Sequence, residues 1–190
     1  MDVHELRAAR LRAHRLTAPA TSVGEAAAHM LAVQAQEFWG GRWALGARAA
    51  GAPTLSDVDA AFDAGALVRT WTQRGTIHII PAVDLAWVLS VTSDRQQRAV
   101  PGRLRELGID DDLLARAERV ARDALRGGER LTRAELFDVW DAAGIDPNGQ
   151  RGVHVVRMLS LRSVLVHGPI VSRGDGAPTR QQYLVLADEW

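Results

Sequence analysis

The chain of 190 residues carries no net charge at pH 7 and contains no cysteine. Disulfide frameworks and thiolate zinc sites are therefore excluded, and a protein that coats DNA through bulk positive charge is disfavoured. No apolar run reaches the roughly 18 to 20 residues needed to cross a bilayer, and no secretory signal pattern opens the sequence, so we expect a cytoplasmic protein.

The first part of the chain has the apolar spacing of three helices. Apolar residues recur at helical intervals over 3–16, and Ser22 with Glu25 forms a capping-box pattern that opens a second helix. A third helix is expected over 56–64, with Gly65 at its C-terminal stop.

Two β-prone runs follow, at 67–72 and 76–80, on either side of the turn residues 73–75. Their β-branched and aromatic composition predicts a hairpin. Three helices followed by a two-stranded hairpin indicate a winged helix, which we assign to residues 1–90.

The rest of the chain repeats this order of elements. Helices are expected over 110–126, 133–143 and from Asp146 to about Ser163, and strands at 164–166 and 183–186 flank a glycine-rich turn at 172–177. We therefore predict a second winged helix over 110–190, joined to the first by a helical linker over 91–109. The predicted fold class is mainly α with small β-hairpins, an α+β fold built from tandem winged-helix (helix-turn-helix) motifs.

Two glutamines, Gln34 and Gln36, stand one residue apart at the end of an apolar helical segment. An unpaired buried amide costs roughly 1 to 3 kcal/mol, so such a pair either caps the helix or holds a polar ligand. Positions i and i+2 point about 200° apart on an α-helix but align on an extended strand. We expect the helix to end near Val33 or Gln34, with Gln36 on extended or turning backbone. The alternative is that Gln34 bonds buried carbonyls at the helix end.

Basic and acidic residues are segregated along the chain. Arginines outnumber acids over 69–105, whereas acids outnumber arginines over 106–146. The third helix of the first half carries three aspartates and no arginine, which disfavours contact with phosphates. Its counterpart in the second half carries Arg151, His154 and Arg157 at intervals of three and is the better candidate for entering a DNA groove. An ordinary solvated face is the alternative.

Four segments of the first half carry a resemblance to a known family: Leu31-Ala-Val-Gln-Ala-Gln36, Trp43-Ala-Leu-Gly46, Leu67-Val-Arg69 and Arg74-Gly-Thr-Ile-His-Ile79. In these segments and in the order of its elements the chain resembles the winged-helix DNA glycosylases of the AlkZ type, bacterial enzymes that remove alkylated purines and unhook interstrand cross-links. The resemblance implies that Gln34 and Gln36 are the catalytic residues. Members of this family continue beyond the last residue of this chain, so the resemblance covers the N-terminal part of the family only.

A pair of amides suits the chemistry that this resemblance implies. Ordinary glycosides need two carboxylates for hydrolysis, but a purine alkylated at N7 is already cationic and leaves without a proton from the protein. The remaining work is to hold a water molecule and to stabilise the positive charge that develops on the sugar, and a glutamine oxygen does both. We therefore expect cationic lesions to react and neutral lesions to react poorly.

Other side chains are candidates for contact with DNA. Trp39 and Trp43 have the ring size to stack on an extruded base, with core packing as the alternative. Arg69 and Arg74 flank the hairpin tip and are candidates for gripping phosphate, while His78 in the second strand is more often a packed residue than a ligand. The full predicted DNA-binding set is Trp39, Arg42, Trp43, Arg69, Arg74, His78, Arg151, His154, Arg157 and Arg173. The histidines show no ligand spacing, so neither a metal nor a cofactor is predicted.

Two functions follow from these patterns. The first is a DNA repair glycosylase that acts on alkylated cationic purines in damaged double-stranded DNA, with interstrand cross-links as a further expected substrate. The second is a non-catalytic tandem winged-helix module that binds DNA as a regulator or interaction module. In both cases we expect a monomer without membrane contact.

Overall fold

The computed structural model describes residues 2–175 and 177–190, and over these residues it has nine α-helices and one five-stranded antiparallel sheet. The helices are α1 (Val3–Ala13), α2 (Val23–Met30), α3 (Phe38–Gly46), α4 (Leu55–Asp63), α5 (Leu85–Arg98), α6 (Pro101–Glu106), α7 (Asp111–Leu125), α8 (Arg133–Ala142) and α9 (Arg151–Leu161). The strands are β1 (Val33–Gln34), β2 (Leu67–Trp71), β3 (Ile77–Pro81), β4 (Leu165–Ile170) and β5 (Gln182–Leu186). The prediction of a mainly α fold with small antiparallel hairpins is confirmed. The predicted turn at 172–177 includes Gly176, which lies outside the described residues.

Side-chain caps begin the helices that the sequence predicts best. At the start of α2 the Ser22 hydroxyl accepts a hydrogen bond from the backbone N–H of Glu25. Thr54 begins α4 and Thr132 begins α8, each in a complete capping box. A cap of this kind satisfies a backbone donor that the first turn leaves free, and it contributes about 1 kcal/mol.

Helix α3 is absent from the sequence-based prediction. Two adjacent glycines, Gly40 and Gly41, each disfavour a helix by roughly 1 kcal/mol. The Glu37 carboxylate offsets part of this cost by accepting a hydrogen bond of 2.8 Å from the Gly40 N–H. A Cβ on Gly41 would lie 2.7 Å from the Cβ of Ala35, so the contact between α3 and β1 requires a glycine there. Tertiary packing therefore overrides helix propensity in this segment.

The two predicted hairpins join in a single sheet with the strand order β1-β3-β2-β4-β5. The join is between β2 and β4, where Arg69 pairs with His167. The division into two winged-helix units with a linker over 91–109 stays a prediction, and α5 runs across its first boundary. Over the described residues, no helix is both long and apolar enough to cross a membrane.

Three hydrophobic clusters hold these elements together. Phe62 lies in the cluster formed by α2, α3, α4 and one face of the first hairpin, and Trp140 lies in the cluster of α7, α8 and α9. The third cluster joins Val68 of the first hairpin, Val166 of the second and Leu89 of α5. Helix α5 therefore covers the sheet face to which Val68 points and ties the two hairpins together.

Candidate active site

Gln34 and Gln36 lie on an extended segment between α2 and α3. Helix α2 ends at Met30, earlier than the predicted end near Val33, because Leu31 adopts a left-handed φ of 59° and turns the chain out of the helix. The short strand β1 follows at once and includes Gln34. The backbone that carries the two glutamines is therefore extended, as the spacing of the pair requires.

The two carboxamides project from the same side of this segment. Gln34 pairs with His78 of β3, and the Ala35 N–H donates a hydrogen bond of 2.8 Å to the Ile77 carbonyl, which continues the pairing beyond β1. Ala35 is buried, whereas Gln34 and Gln36 on either side of it are exposed. Because side chains alternate along extended backbone, both glutamines point to the sheet face that α5 covers, at its open edge.

The amide groups of the two glutamines are largely uncommitted. The Gln36 Oε1 accepts a long hydrogen bond of 3.4 Å from the Ile77 N–H. Gln34 makes no side-chain hydrogen bond within the described part of the chain. The alternative was that the Gln34 side chain bonds buried carbonyls at the end of α2. The exposed side chain has no carbonyl partner within the described residues, so it does not match this alternative. The amides are free to bind a polar ligand.

Ala35, the residue between the two glutamines, is held in place by Arg69. The Arg69 Nε–H donates a hydrogen bond of 3.0 Å to the Ala35 carbonyl, and the Arg69 Nη1 lies 3.3 Å from Oε1 of Gln182. The guanidinium also lies 4.7 Å from the centre of the Phe38 ring. Burial, together with a neighbouring arginine, lowers the pKa of Arg69 to about 10. Arg69 therefore positions the strand and is not free to grip phosphate, which corrects its predicted contact with DNA.

His78 is the cross-strand neighbour of Gln34 on β3 and is buried. Its side chain is 2% exposed, and its Nδ1 is 2.8 Å from the Thr72 hydroxyl oxygen. Burial lowers the pKa of His78 below its ordinary value, so the ring is neutral at pH 7. A buried neutral ring cannot grip a phosphate, and the prediction that His78 contacts DNA is corrected to a packing role beside the glutamines.

Arg42 also belongs to the interior. Its side chain is 0% exposed, its Nη1 donates to both carboxylate oxygens of Asp59 at 2.7 and 2.9 Å, and its Nη2 donates to the Thr179 carbonyl at 2.8 Å. The guanidinium stacks on the rings of Phe38 and Trp39. Every part of the group is occupied except Nε, so the predicted contact of Arg42 with DNA is wrong. Its role is to join α3, α4 and the second hairpin.

Trp39 and Trp43 line an open groove of about 640 Å³ beside α3, together with Pro53 and Val58. Trp43 is 74% exposed. Helix α3 packs on the side of β1 to which Ala35 points, whereas Gln34 and Gln36 alternate to the other side. The groove and the carboxamides therefore lie on different faces of the sheet. The stacking of an extruded base on these two rings stays a prediction, and the rings do not share a site with the carboxamides.

The basic residues of α9 lie between other elements. Arg151, His154 and Arg157 are each only partly exposed. The Nδ1 of His154 is 2.9 Å from the Gln150 carbonyl oxygen of its own helix, and the Arg157 guanidinium packs against Gly75 at the tip of the first hairpin. This helix does not present a free basic face. Of its cations, Arg157 is the one that reaches toward the glutamine side of the sheet.

The two hairpin tips differ in charge. Arg74 is exposed at the tip of the first hairpin and has no ion pair within the described residues. Arg173, in the turn of the second hairpin, donates hydrogen bonds to both carboxylate oxygens of Asp175, at 3.2 and 2.9 Å. The first tip therefore carries free positive charge, and the charge of the second is largely compensated.

The arrangement can hold a water molecule or a sugar oxygen against two amide groups on a rigid strand. No group of three or more histidines and acidic residues is placed to hold a metal ion within residues 2–175 and 177–190. The sequence pattern identifies the glutamines but not Ala35 and Gly41, the residues whose close packing holds the strand that carries them. The available signal was a small residue between the glutamines, followed by a pair of glycines.

Comparisons with known proteins bear on this site. A sequence model of the family described as AlkZ-like, DNA glycosylase AlkZ-like, matches residues 27–190, which include both glutamines. The fold is similar to a solved structure titled Streptomyces sahachiroi DNA glycosylase AlkZ, with a TM-score of 0.72 and 24% sequence identity over 94% of this chain and 47% of that one. The chain thus spans about half the length of that structure. A search of curated proteins gave no match.

Proposed function

Because the chain belongs to the AlkZ-like DNA glycosylase family, we propose that it is a DNA repair glycosylase that hydrolyses the N-glycosidic bond of alkylated, cationic purines, including those in interstrand cross-links. The observation that carries the proposal is the exposed carboxamide pair, Gln34 and Gln36, on one side of an extended strand. Each half of the chain is a winged helix in this proposal, and the partner is damaged double-stranded DNA. The protein acts as a cytoplasmic monomer.

In the proposed reaction the bond between the sugar C1′ and the purine N9 breaks, and its electron pair passes to the cationic purine, which leaves as a neutral base. A water molecule adds to C1′ and loses its proton to solvent. The Gln34 oxygen accepts a hydrogen bond from that water, and its dipole stabilises the positive charge on the sugar. Gln36, anchored at Ile77 N–H, orients the sugar or the same water.

The rigidity of the strand supports this role. Ala35 is held by β3, by Arg69 and by the close approach of α3 at Gly41. Dipoles that are already oriented need not reorganise during the reaction, and removing one such group from an enzyme site costs about 10²- to 10³-fold in rate. The amides contain no carboxylate to protonate a leaving group, so neutral bases are expected to remain attached.

The test is base release from a duplex that contains N7-methylguanine, scored as abasic sites. We expect release by the unmutated protein and a loss of about 100-fold with Gln34→Ala and with Gln36→Ala. Gln181→Ala is the matched control, because Gln181 is an exposed glutamine in the second hairpin and should leave the rate unchanged.

Two results would contradict the proposal. Unchanged release from both glutamine variants would refute their catalytic assignment. Binding of the duplex without any release by the unmutated protein would favour the non-catalytic DNA-binding module instead.

A further inference from the structure

A second cleft, of about 550 Å³, lies between the tip of the first hairpin and helix α5. Helix α5 covers the sheet face from which Gln34 and Gln36 project, so this cleft opens on the same side of the sheet as the carboxamides. Its lining residues are Gln73, Arg74, Val91, Thr92, Arg95 and Gln96. None of these six is acidic.

Gln96 is the most informative residue of the cleft. It is only 8% exposed, and its side chain makes no hydrogen bond within the described residues. Its amide atoms are not among the polar atoms that are sealed from solvent without a partner, so the amide opens on the cleft. The Gln96 amide lines the cleft and is therefore free to hydrogen-bond a ligand there.

Two cations line this cleft and a third lies at its hairpin wall, and none of the three has an ion pair within the described residues. Arg74 and Arg95 are exposed on the two walls, and Arg157 reaches the hairpin tip from α9. Arg157 is half-buried, and burial lowers the pKa of its guanidinium. An unpaired, partly buried cation is unfavourable in the free protein, and an anion would relieve that cost.

The backbone at the hairpin tip is shaped to bring these groups together. Arg74 and Gly75 both adopt left-handed φ values, of 56° and 69°. A Cβ on Gly75 would lie 2.7 Å from Nη2 of Arg157 and 3.1 Å from Oε1 of Gln96. The left-handed φ favours glycine at position 75, and a non-glycine residue such as Arg74 adopts such a conformation where the surroundings enforce it.

We propose that this cleft binds a phosphate oxyanion, and that its ligand is a phosphodiester of the DNA backbone near the altered nucleotide. Phosphate oxygens accept hydrogen bonds from guanidinium and amide groups, which are the groups that Arg74, Arg95, Arg157 and Gln96 offer. The proposal rests on the proposed function for the identity of the polymer. It adds the residues that would hold the strand while the glutamines act.

The experiment measures binding of an undamaged duplex by fluorescence anisotropy at several salt concentrations, with Arg95→Gln, Arg157→Gln and Gln96→Leu. Arg119→Gln on α7 is the control of matched charge, since Arg119 is exposed and has no ion pair within the described residues. Each arginine variant of the cleft should weaken binding about tenfold and reduce the salt slope by about one, and Arg119→Gln should do neither. Gln96→Leu should weaken binding without changing the slope. Thermal unfolding of each variant checks that the fold is kept.

Cleft variants that bind the duplex as tightly as Arg119→Gln would overturn the proposal. Thermal unfolding with inorganic phosphate gives a second measurement. If the cleft variants lose stabilisation by phosphate but bind the duplex as the unmutated protein does, the ligand is a free phosphate, and this result also overturns the proposal. A protein that binds duplex through the cleft but releases no base contradicts the proposed glycosylase reaction alone. A protein that releases base while its cleft variants bind normally contradicts this inference alone.

Discussion

The two halves of the molecule contain connections of equal length that have different conformations. Residues 31–37 join α2 to α3, and residues 126–132 join α7 to α8. The first connection runs as extended backbone beside β3 and exposes two carboxamides. The second turns at Gly127 and Gly128, whose φ values are 80° and 83°, and touches the sheet by a single bridge from Leu131 to Leu184.

The contacts that each connection makes account for the difference. In the second, the carboxylate of Glu189 accepts hydrogen bonds from the N–H groups of both Gly127 and Gly128, at 2.7 and 3.0 Å. In the first, Val33 and Ala35 bury against the core and leave the alternate positions free. One arrangement closes a turn, and the other builds a strand edge with functional groups on its open side. The candidate site is therefore a property of one half only.

The largest expected effect is on the free energy of unfolding and compares two arginines, one from each half. The sequence places both in the same predicted DNA-binding set. Arg42→Met leaves the Asp59 carboxylate without its buried partner, and we expect the free energy of unfolding to fall by about 3 kcal/mol. Arg173→Met removes an exposed pair with Asp175, and we expect a loss below about 1 kcal/mol. Urea unfolding monitored by circular dichroism measures both. Equal losses would mean that Arg42 is not an internal tie.

A second pair of variants compares the fifth residue of each connection. Ala35→Leu forces a larger side chain between β1 and Gly41, so we expect a loss of about 2 kcal/mol in unfolding free energy together with slower base release. Arg130→Leu alters an exposed position and should change stability by less than about 0.5 kcal/mol. The same urea titration and abasic-site assay apply. Full stability of Ala35→Leu would contradict the tight contact behind the glutamines.

The two hairpins also carry one buried or half-buried histidine each, His78 and His167. Burial lowers the pKa of both, that of His167 to about 3 with a contribution from Arg69. Below pH 6.5 these histidines bind protons in the unfolded chain more readily than in the folded chain. The free energy of unfolding should therefore fall as the pH decreases from 6.5 toward 3. Because His167 keeps partial exposure to solvent, we expect a loss of roughly 1 to 2 kcal/mol in unfolding free energy between pH 7 and pH 5. Unfolding at a series of pH values tests this, and His167→Asn should flatten the curve.

The smallest expected effect concerns the glycine turn of the second connection. Gly128→Ala places a Cβ on left-handed backbone and should cost about 1 kcal/mol. Gly102→Ala is the control, because Gly102 lies in α6 with open space around its Cα, and alanine there should stabilise the helix by roughly 0.5 to 1 kcal/mol. A neutral Gly128→Ala would show that this turn tolerates another backbone conformation, and the contrast between the two connections would lose its basis. Differential scanning calorimetry resolves changes of this size.

Local patterns were sufficient for much of the fold. The caps at Ser22 and Thr132, the hairpin around 73–75 and the repeated order of elements were all predicted from spacing and turn residues. Helix α3 was missed, because Gly40 and Gly41 oppose it locally and only the contact with Ala35 accounts for it. The end of α2 was placed too late, since Leu31 carries no residue-type signal for its left-handed turn.

The sequence by itself determined the chemistry on offer: two glutamines whose spacing suits extended backbone, arginine as the main cation, and no cysteine for a disulfide or a thiolate site. Tertiary structure alone decided which of these groups face solvent. Arg42 and Arg69 were indistinguishable from surface residues in the sequence, because burial depends on contacts between segments far apart in the chain. The same long-range packing, between the first hairpin, α5 and α9, gathers Arg74, Arg95 and Gln96 around one cleft and brings Arg157 to its hairpin wall.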